Sequence, residues 1–173
     1  WGDFDAAERH FRIDLELAEQ LADLRATAMM YNHLGQVFLA RGNLDEAAGY
    51  LDESLHLCQE HSFRLEGGFV RKDRALVRLR LGQTAAAEED VRAAEAIFHD
   101  RRFEEGLAHL RRVQASIVSG QGEGRTAEEL LQRSAAWFDQ RGEIREAALS
   151  WLQLATVRKH RKSPARLVTD ALL

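Results

Sequence analysis

Glycines at positions 2, 42, 82 and 122 are evenly spaced, and the residues behind each of them repeat with the same period. Each glycine is followed at a fixed interval by an alanine: Ala7, Ala47, Ala87 and Ala127. Beyond those come Phe11, Leu51, Val91 and Leu131, and further on Leu17, Leu57, Ile97 and Trp137. The register needs no gaps. A period of this length denotes stacked supersecondary units, each burying its apolar face only against its neighbours. The clearest copy runs from Ala28 to Leu57, two amphipathic stretches joined by a turn at Arg41-Gly42-Asn43.

The residue types suit helices. Glycine after a helix takes the left-handed conformation without a Cβ clash, which lets the chain reverse. The alanine that follows allows close approach of the second helix, and Phe, Leu, Val and Ile at helical spacing form its buried stripe. Acidic residues after each turn (Asp45-Glu46, Glu88-Glu89-Asp90, Glu128-Glu129) are expected in or near first helical turns, where they favour the positive end of the macrodipole. The spacing predicts a second helix over 3–20, then helix pairs over 24–60, 64–99, 103–140 and 143–173. The last of these has Ser163 as N-cap and Pro164 at the first helical position. Beginning and ending inside a repeat predicts apolar end faces covered by further repeats, a capping domain or a partner subunit, and the start at Trp1-Gly2 rather than Met leads to the expectation of a piece of a longer protein.

Composition narrows the function classes. An apolar fraction of 45% with 30% charged residues is that of a folded globular chain. A formal charge of -4 gives no general attraction to nucleic acid or an anionic membrane. No apolar run approaches the ~18 residues needed to cross a bilayer. The lone Cys58 excludes an internal disulfide and fits a reducing cytoplasm.

Tyr31, Leu34, Gly35, Phe38, Gly42, Ala47, Leu51 and Ser54 resemble the tetratricopeptide signature at its usual spacing. The longer period of this chain is similar to the extended-helix subclass found in kinesin light chains and in bacterial regulators of the MalT and AfsR type. The excess of Arg over Lys favours the bacterial side of that group. The resemblance implies an all-α, right-handed superhelix of antiparallel helix pairs. It also implies a concave groove, lined by first helices, that holds a peptide or a partner helix. Other copies depart from the signature: Arg71, Arg74 and Arg78 replace Tyr31, Leu34 and Phe38, and Arg111, Gln114 and Val118 follow in the next copy. Packing there is expected to shift to Val70, Ala75, Val77 and Leu81, and to Leu107, Leu110, Val113 and Ile117.

Mapping that pattern places Met29, Asn32, Gln36, Phe69, Lys72, His109, Arg112, Leu152 and Thr156 on or near the groove. Asn32, Lys72 and Arg112 share a phase and form a polar ladder suited to a peptide backbone or carboxylate. Arg71, Arg74, Arg78 and Arg80 make a basic helix with two readings. One is a patch that receives an acidic segment or phosphate; the other is internal pairing with Glu88, Glu89, Asp90, Glu104 or Glu105. Gly120-Gln121-Gly122-Glu123-Gly124 lacks the Lys-Ser/Thr and preceding strand of a phosphate loop. The seven histidines show no metal-ligand spacing, Cys58 shares its phase with Ala18, Phe98 and Phe138 as a core residue, and Trp137, Phe138 and Trp151 read as packing between repeats. No Ser/His/Asp set or buried carboxylate pair stands out. The expectation is a regulatory scaffold binding a protein or peptide, with no cofactor, metal or catalytic activity. The alternatives are a sensor for a small molecule or signalling peptide, and a module that self-assembles through its open ends.

Overall fold

The computed structural model describes residues 3–162. It is all-α: α1 (Phe4–Gln20), α2 (Leu24–Arg41), α3 (Leu44–Glu60), α4 (Arg64–Arg80), α5 (Thr84–Asp100), α6 (Glu104–Gly120), α7 (Gly124–Asp139) and α8 (Ile144–Lys162). These bounds agree closely with the periodic reading. The expected helix after Ser163-Pro164 and the first turn glycine, Gly2, lie outside the described residues. No helix among them is long and apolar enough to cross a membrane.

Helix starts recur at a constant interval because the chain reverses at that same interval. Residues 22, 42, 62, 82, 102, 122 and 142 all have positive φ, between 51° and 88°. Two backbone hydrogen bonds close the helix end at each. Gly42 N donates to Leu39 O and Asn43 N to Phe38 O; Ser62 N donates to Gln59 O and Phe63 N to Cys58 O. These are Schellman closures, which satisfy carbonyls that the helix leaves open. Glycine occupies four of the seven positions; the other three are Ala22, Ser62 and Arg102. A non-glycine residue held there costs roughly 1–2 kcal/mol.

Two compact units result, Trp1–Phe103 and Glu104–Leu173. In the first, each of α1 to α4 packs on the next, and α2 also touches α4. In the second, α6 packs on α7 and α7 on α8, with α6 touching α8. The core of the first unit joins Ala28, Leu51, Leu55, Cys58, Val70 and Val77. That of the second includes Ala115, Ala127, Leu131 and Leu154. Ala47, Ala87 and Ala127 are fully buried, as the close approach of helices requires. Gly35 and Gly68 go further: a Cβ would lie 2.7 Å from Leu51 Cγ at the first and 2.8 Å from the Phe98 ring at the second. The same hydroxyl bond recurs in each unit at one repeat phase, Ser54 Oγ to Ala28 O at 2.6 Å and Ser134 Oγ to Ala108 O at 2.8 Å.

Three expectations change. Leu81 is exposed rather than core, because it falls at the C-cap of α4 beyond the last turn facing α3 and α5. Trp151 is 44% exposed and donates its indole N–H to Asp139 at 3.0 Å, so it is a half-wetted residue rather than inter-repeat packing. Of the acidic runs, only Asp45 and Glu46 lie in a first turn. The runs after Thr84 and Gly124 begin too deep in α5 and α7 to meet the dipole end. On α1 and its C-cap, Ile13, Leu17 and Leu21 are one turn apart and largely exposed.

Substituting Ser62→Gly should stabilise the chain by about 0.5 kcal/mol, relief of the left-handed strain outweighing the added unfolded-state entropy. Gly42→Ala should destabilise it by about 1 kcal/mol, as left-handed backbone disfavours any Cβ; urea denaturation reads both. Gly68→Ala should cost about 1–3 kcal/mol by pushing on the Phe98 ring, and an unchanged urea midpoint would refute that packing.

Candidate functional site

The first helices carry most of the residues expected to bind. In the first unit, α2 places Asn32 and Gln36 one turn apart. Gln36 Nε2 reaches α4 and donates to Asp73 Oδ2 at 2.7 Å, and Lys72 Nζ donates to Asp73 Oδ1 at 2.6 Å. Asp73 is buried, and these two donors answer its two carboxylate oxygens. Asn32 is 1% exposed, yet its Oδ1 has no hydrogen-bond partner among the described residues. Met29 is half-buried on the same helix. Phe69 turns into a ring cluster, 5.3 Å from Phe98 and 5.5 Å from Phe103, which makes it chiefly a packing residue.

The second unit repeats the motif with other residues. Gln153 Nε2 donates to Ser116 Oγ at 2.8 Å, with the same sequence separation as the Gln36–Asp73 bond. Arg112 Nη1 donates to Glu146 Oε2 at 2.7 Å, and His109 Nδ1 lies 3.6 Å from that oxygen while its ring packs on Phe138. Leu152 and Thr156 are exposed, the threonine hydroxyl donating to Leu152 O. Asn32 and Lys72 thus belong to one unit and Arg112 to the other. Lys72 and Arg112 each already face a carboxylate.

The basic helix α4 is largely answered from within. Arg74 donates through Nε and Nη2 to both oxygens of Asp90, at 2.9 and 2.7 Å, and through Nη1 to Asp52 at 2.8 Å. Burial pulls its pKa down, but the bonds to Asp90 and Asp52 more than offset that and hold it above the ordinary value. Arg78 Nη1 is 2.8 Å from Asp90, and Arg80 Nη1 caps α2 through Leu39 O at 2.8 Å. Arg74 and Arg78 therefore follow the internal-pairing reading through Asp90, with Asp52 a partner outside the expected set. Arg71 differs: its one hydrogen bond goes to Gly67 O at 3.2 Å, and it enters no ion pair among the described residues.

Of the two buried carboxylates, Asp90 is among the partners expected for the basic helix and Asp73 is not. The available signal was indirect: arginine on positions that are Leu or Phe in the preceding copy needs a counter-charge at the same depth. Cys58 is buried at 3% exposure, and burial pushes its thiol up to about 11, so it is protonated and unreactive at neutral pH. Among the described residues no group of three or more His, Cys, Asp or Glu could hold a metal ion. No protein-family model matches the sequence, and no curated protein matches it either.

Replacing Asp90 by Asn should lower unfolding stability by about 3 kcal/mol, since two guanidiniums lose the buried charge they share. Urea denaturation measures it, and a loss under about 1 kcal/mol would mean that water already screens the cluster.

Proposed function

We propose that this chain is a tetratricopeptide-like interaction scaffold, and that the α2–α4 face of its first unit holds an extended peptide or partner helix. The observation that carries the reading is Asn32. A buried carbonyl oxygen without a donor costs about 1–3 kcal/mol, and folded proteins keep such groups rarely and usually for use. A ligand backbone N–H satisfies Oδ1 once the Asn32 side chain turns out from its buried position. Lys72, with two ammonium protons beyond the one given to Asp73, offers donors for a peptide carbonyl or carboxylate. Met29 supplies apolar contact beside them. Because the scaffold is preformed, binding orders mainly the ligand.

The broader role that fits is regulatory: a bacterial, cytoplasmic signalling or transcriptional protein in which this segment recognises a partner. The arginine-rich composition and the buried, reduced Cys58 support that setting. Binding rather than catalysis is favoured because the buried carboxylates of the first unit, Asp73 and Asp90, are each taken up in ion pairs with cationic side chains.

The test selects a random peptide library on the immobilised chain and re-measures the enriched peptides on Asn32→Leu. The variant should unfold at the same or higher urea concentration, because the orphan oxygen is gone, while binding the peptides at least about tenfold more weakly. Equal affinity for Asn32→Leu, or no enrichment on the parent chain, would overturn the proposal.

A further inference from the structure

A cavity of about 370 Å³ opens in the first unit where the end of α3, the start of α4 and the middle of α5 meet. It shares no lining residue with the α2–α4 face. Cys58, Phe63, Ala93 and Ile97 give it an apolar side, and Gln59, Ser62, Arg64 and Arg71 a polar one. The volume lies in the range of small-molecule sites, and apolar surface beside a few placed polar groups is their usual chemistry.

Arg71 is the reason to read this cavity as a site. Several carboxylates near it are already paired: Asp90 with Arg74 and Arg78, Asp52 with Arg74, Glu66 with Arg25 and Asp100 with Arg64. Arg71 itself enters no ion pair among the described residues. Its surroundings oppose its charge, first through burial and then through the neighbouring Arg74. The missing side chain of Gly67 makes room for it, since a Cβ there would lie 3.2 Å from Arg71 Nη1. With one weak bond to its own helix, the guanidinium keeps donors for a planar two-point contact.

We infer that this cavity binds a small carboxylate with an apolar tail, the carboxylate paired to Arg71 and the tail set against Ile97, Ala93 and Phe63. Such a group could be a free acid or the C-terminus of a peptide. A phosphate dianion fits less well, since of the two guanidiniums on the wall Arg64 is already paired with Asp100 and only Arg71 lacks a carboxylate.

The experiment titrates the intact chain with 4-methylpentanoate and its primary amide, and with N-acetyl-leucine and its amide. It follows the Arg71 Nε–Hε resonance, the Ala93 amide and the thermal midpoint. The acids should shift both resonances and raise the midpoint while the amides do neither, and the tighter acid identifies the source. Arg71→Met should bind the acids at least about tenfold more weakly. It should also be as stable as the parent or more so, which a purely structural arginine would not be. Acid and amide acting alike, unchanged binding by Arg71→Met, or its destabilisation on the scale of Asp90→Asn would each overturn the inference. If Arg71→Met does not fold, the parent chain's Arg71 resonance decides alone.

Discussion

Everything in this chain hangs on a backbone reversal in the left-handed region at the end of each helix. Helices of nearly constant length follow from it, about 25 Å each at the usual rise per residue. Equal helices bring the same phase of successive copies to the same height, so a short alanine, a buried leucine or a serine hydroxyl recurs against the same neighbour. The two closing hydrogen bonds at each reversal do this locally, before any packing. Side-chain caps contribute less: Asp3 and Asp23 accept from Ala6 N and Ala26 N, whereas Asn43, Phe63, Gln83 and Glu123 make no such bond. Helix starts are therefore fixed mainly by the preceding stop.

Within that frame, α4 solves a different problem from α2. Where α2 buries Leu34 and Phe38, α4 carries Arg74 and Arg78, and the unit accommodates them by burying Asp90 on α5 between them. Arg74 also reaches Asp52 on α3, so one side chain ties both helices that flank α4. A buried ion pair adds little net stability compared with apolar packing, but losing one member is costly. The arrangement is better understood as fixing the register of α4 between its neighbours than as strengthening the fold. Gln36–Asp73 does the same between first helices, and Ser116–Gln153 repeats it in the second unit.

The sequence period made the helices, their bounds and most of the core legible in advance. The positions of glycine and alanine report backbone geometry directly, and a gapless register propagates that information along the chain. Some reversals were invisible for the same reason. A search keyed to glycine passes over Ala22, Ser62 and Arg102, which adopt the same conformation because the flanking helices leave them no other. The candidate site was legible only in outline. Phase placed Asn32, Gln36 and Lys72 together, but it could not tell a solvated lysine from one held by a buried Asp73, nor an exposed asparagine from one sealed in the core. Those distinctions depend on which helix covers which face, and Phe69 shows the consequence: its phase points to the groove while its ring joins Phe98 and Phe103.

Two side chains in the first unit are left chemically incomplete, Asn32 with an unanswered carbonyl oxygen and Arg71 without a carboxylate. They sit on different first helices, and each departs from what stability alone would select, since an apolar residue of similar size would remove the cost at either place. A repeat unit can carry such residues more readily than a single closed core can. Its stability is close to a sum over neighbouring interfaces, so a local loss at α2 or α4 leaves the α2–α3 and α4–α5 packing intact. Selection for packing acts on the repeated phases, Ala47, Ala87 and Ala127 among them, and leaves the unrepeated ones open to other uses. Position 71 is such a place, with Tyr31 one repeat before it and Arg111 one repeat after. Tyr31 hydrogen-bonds Glu19 on the neighbouring α1, whereas Arg71 faces a cavity and no acid. The divergence of this copy from the repeat is therefore what leaves a guanidinium without a carboxylate at the edge of the cavity.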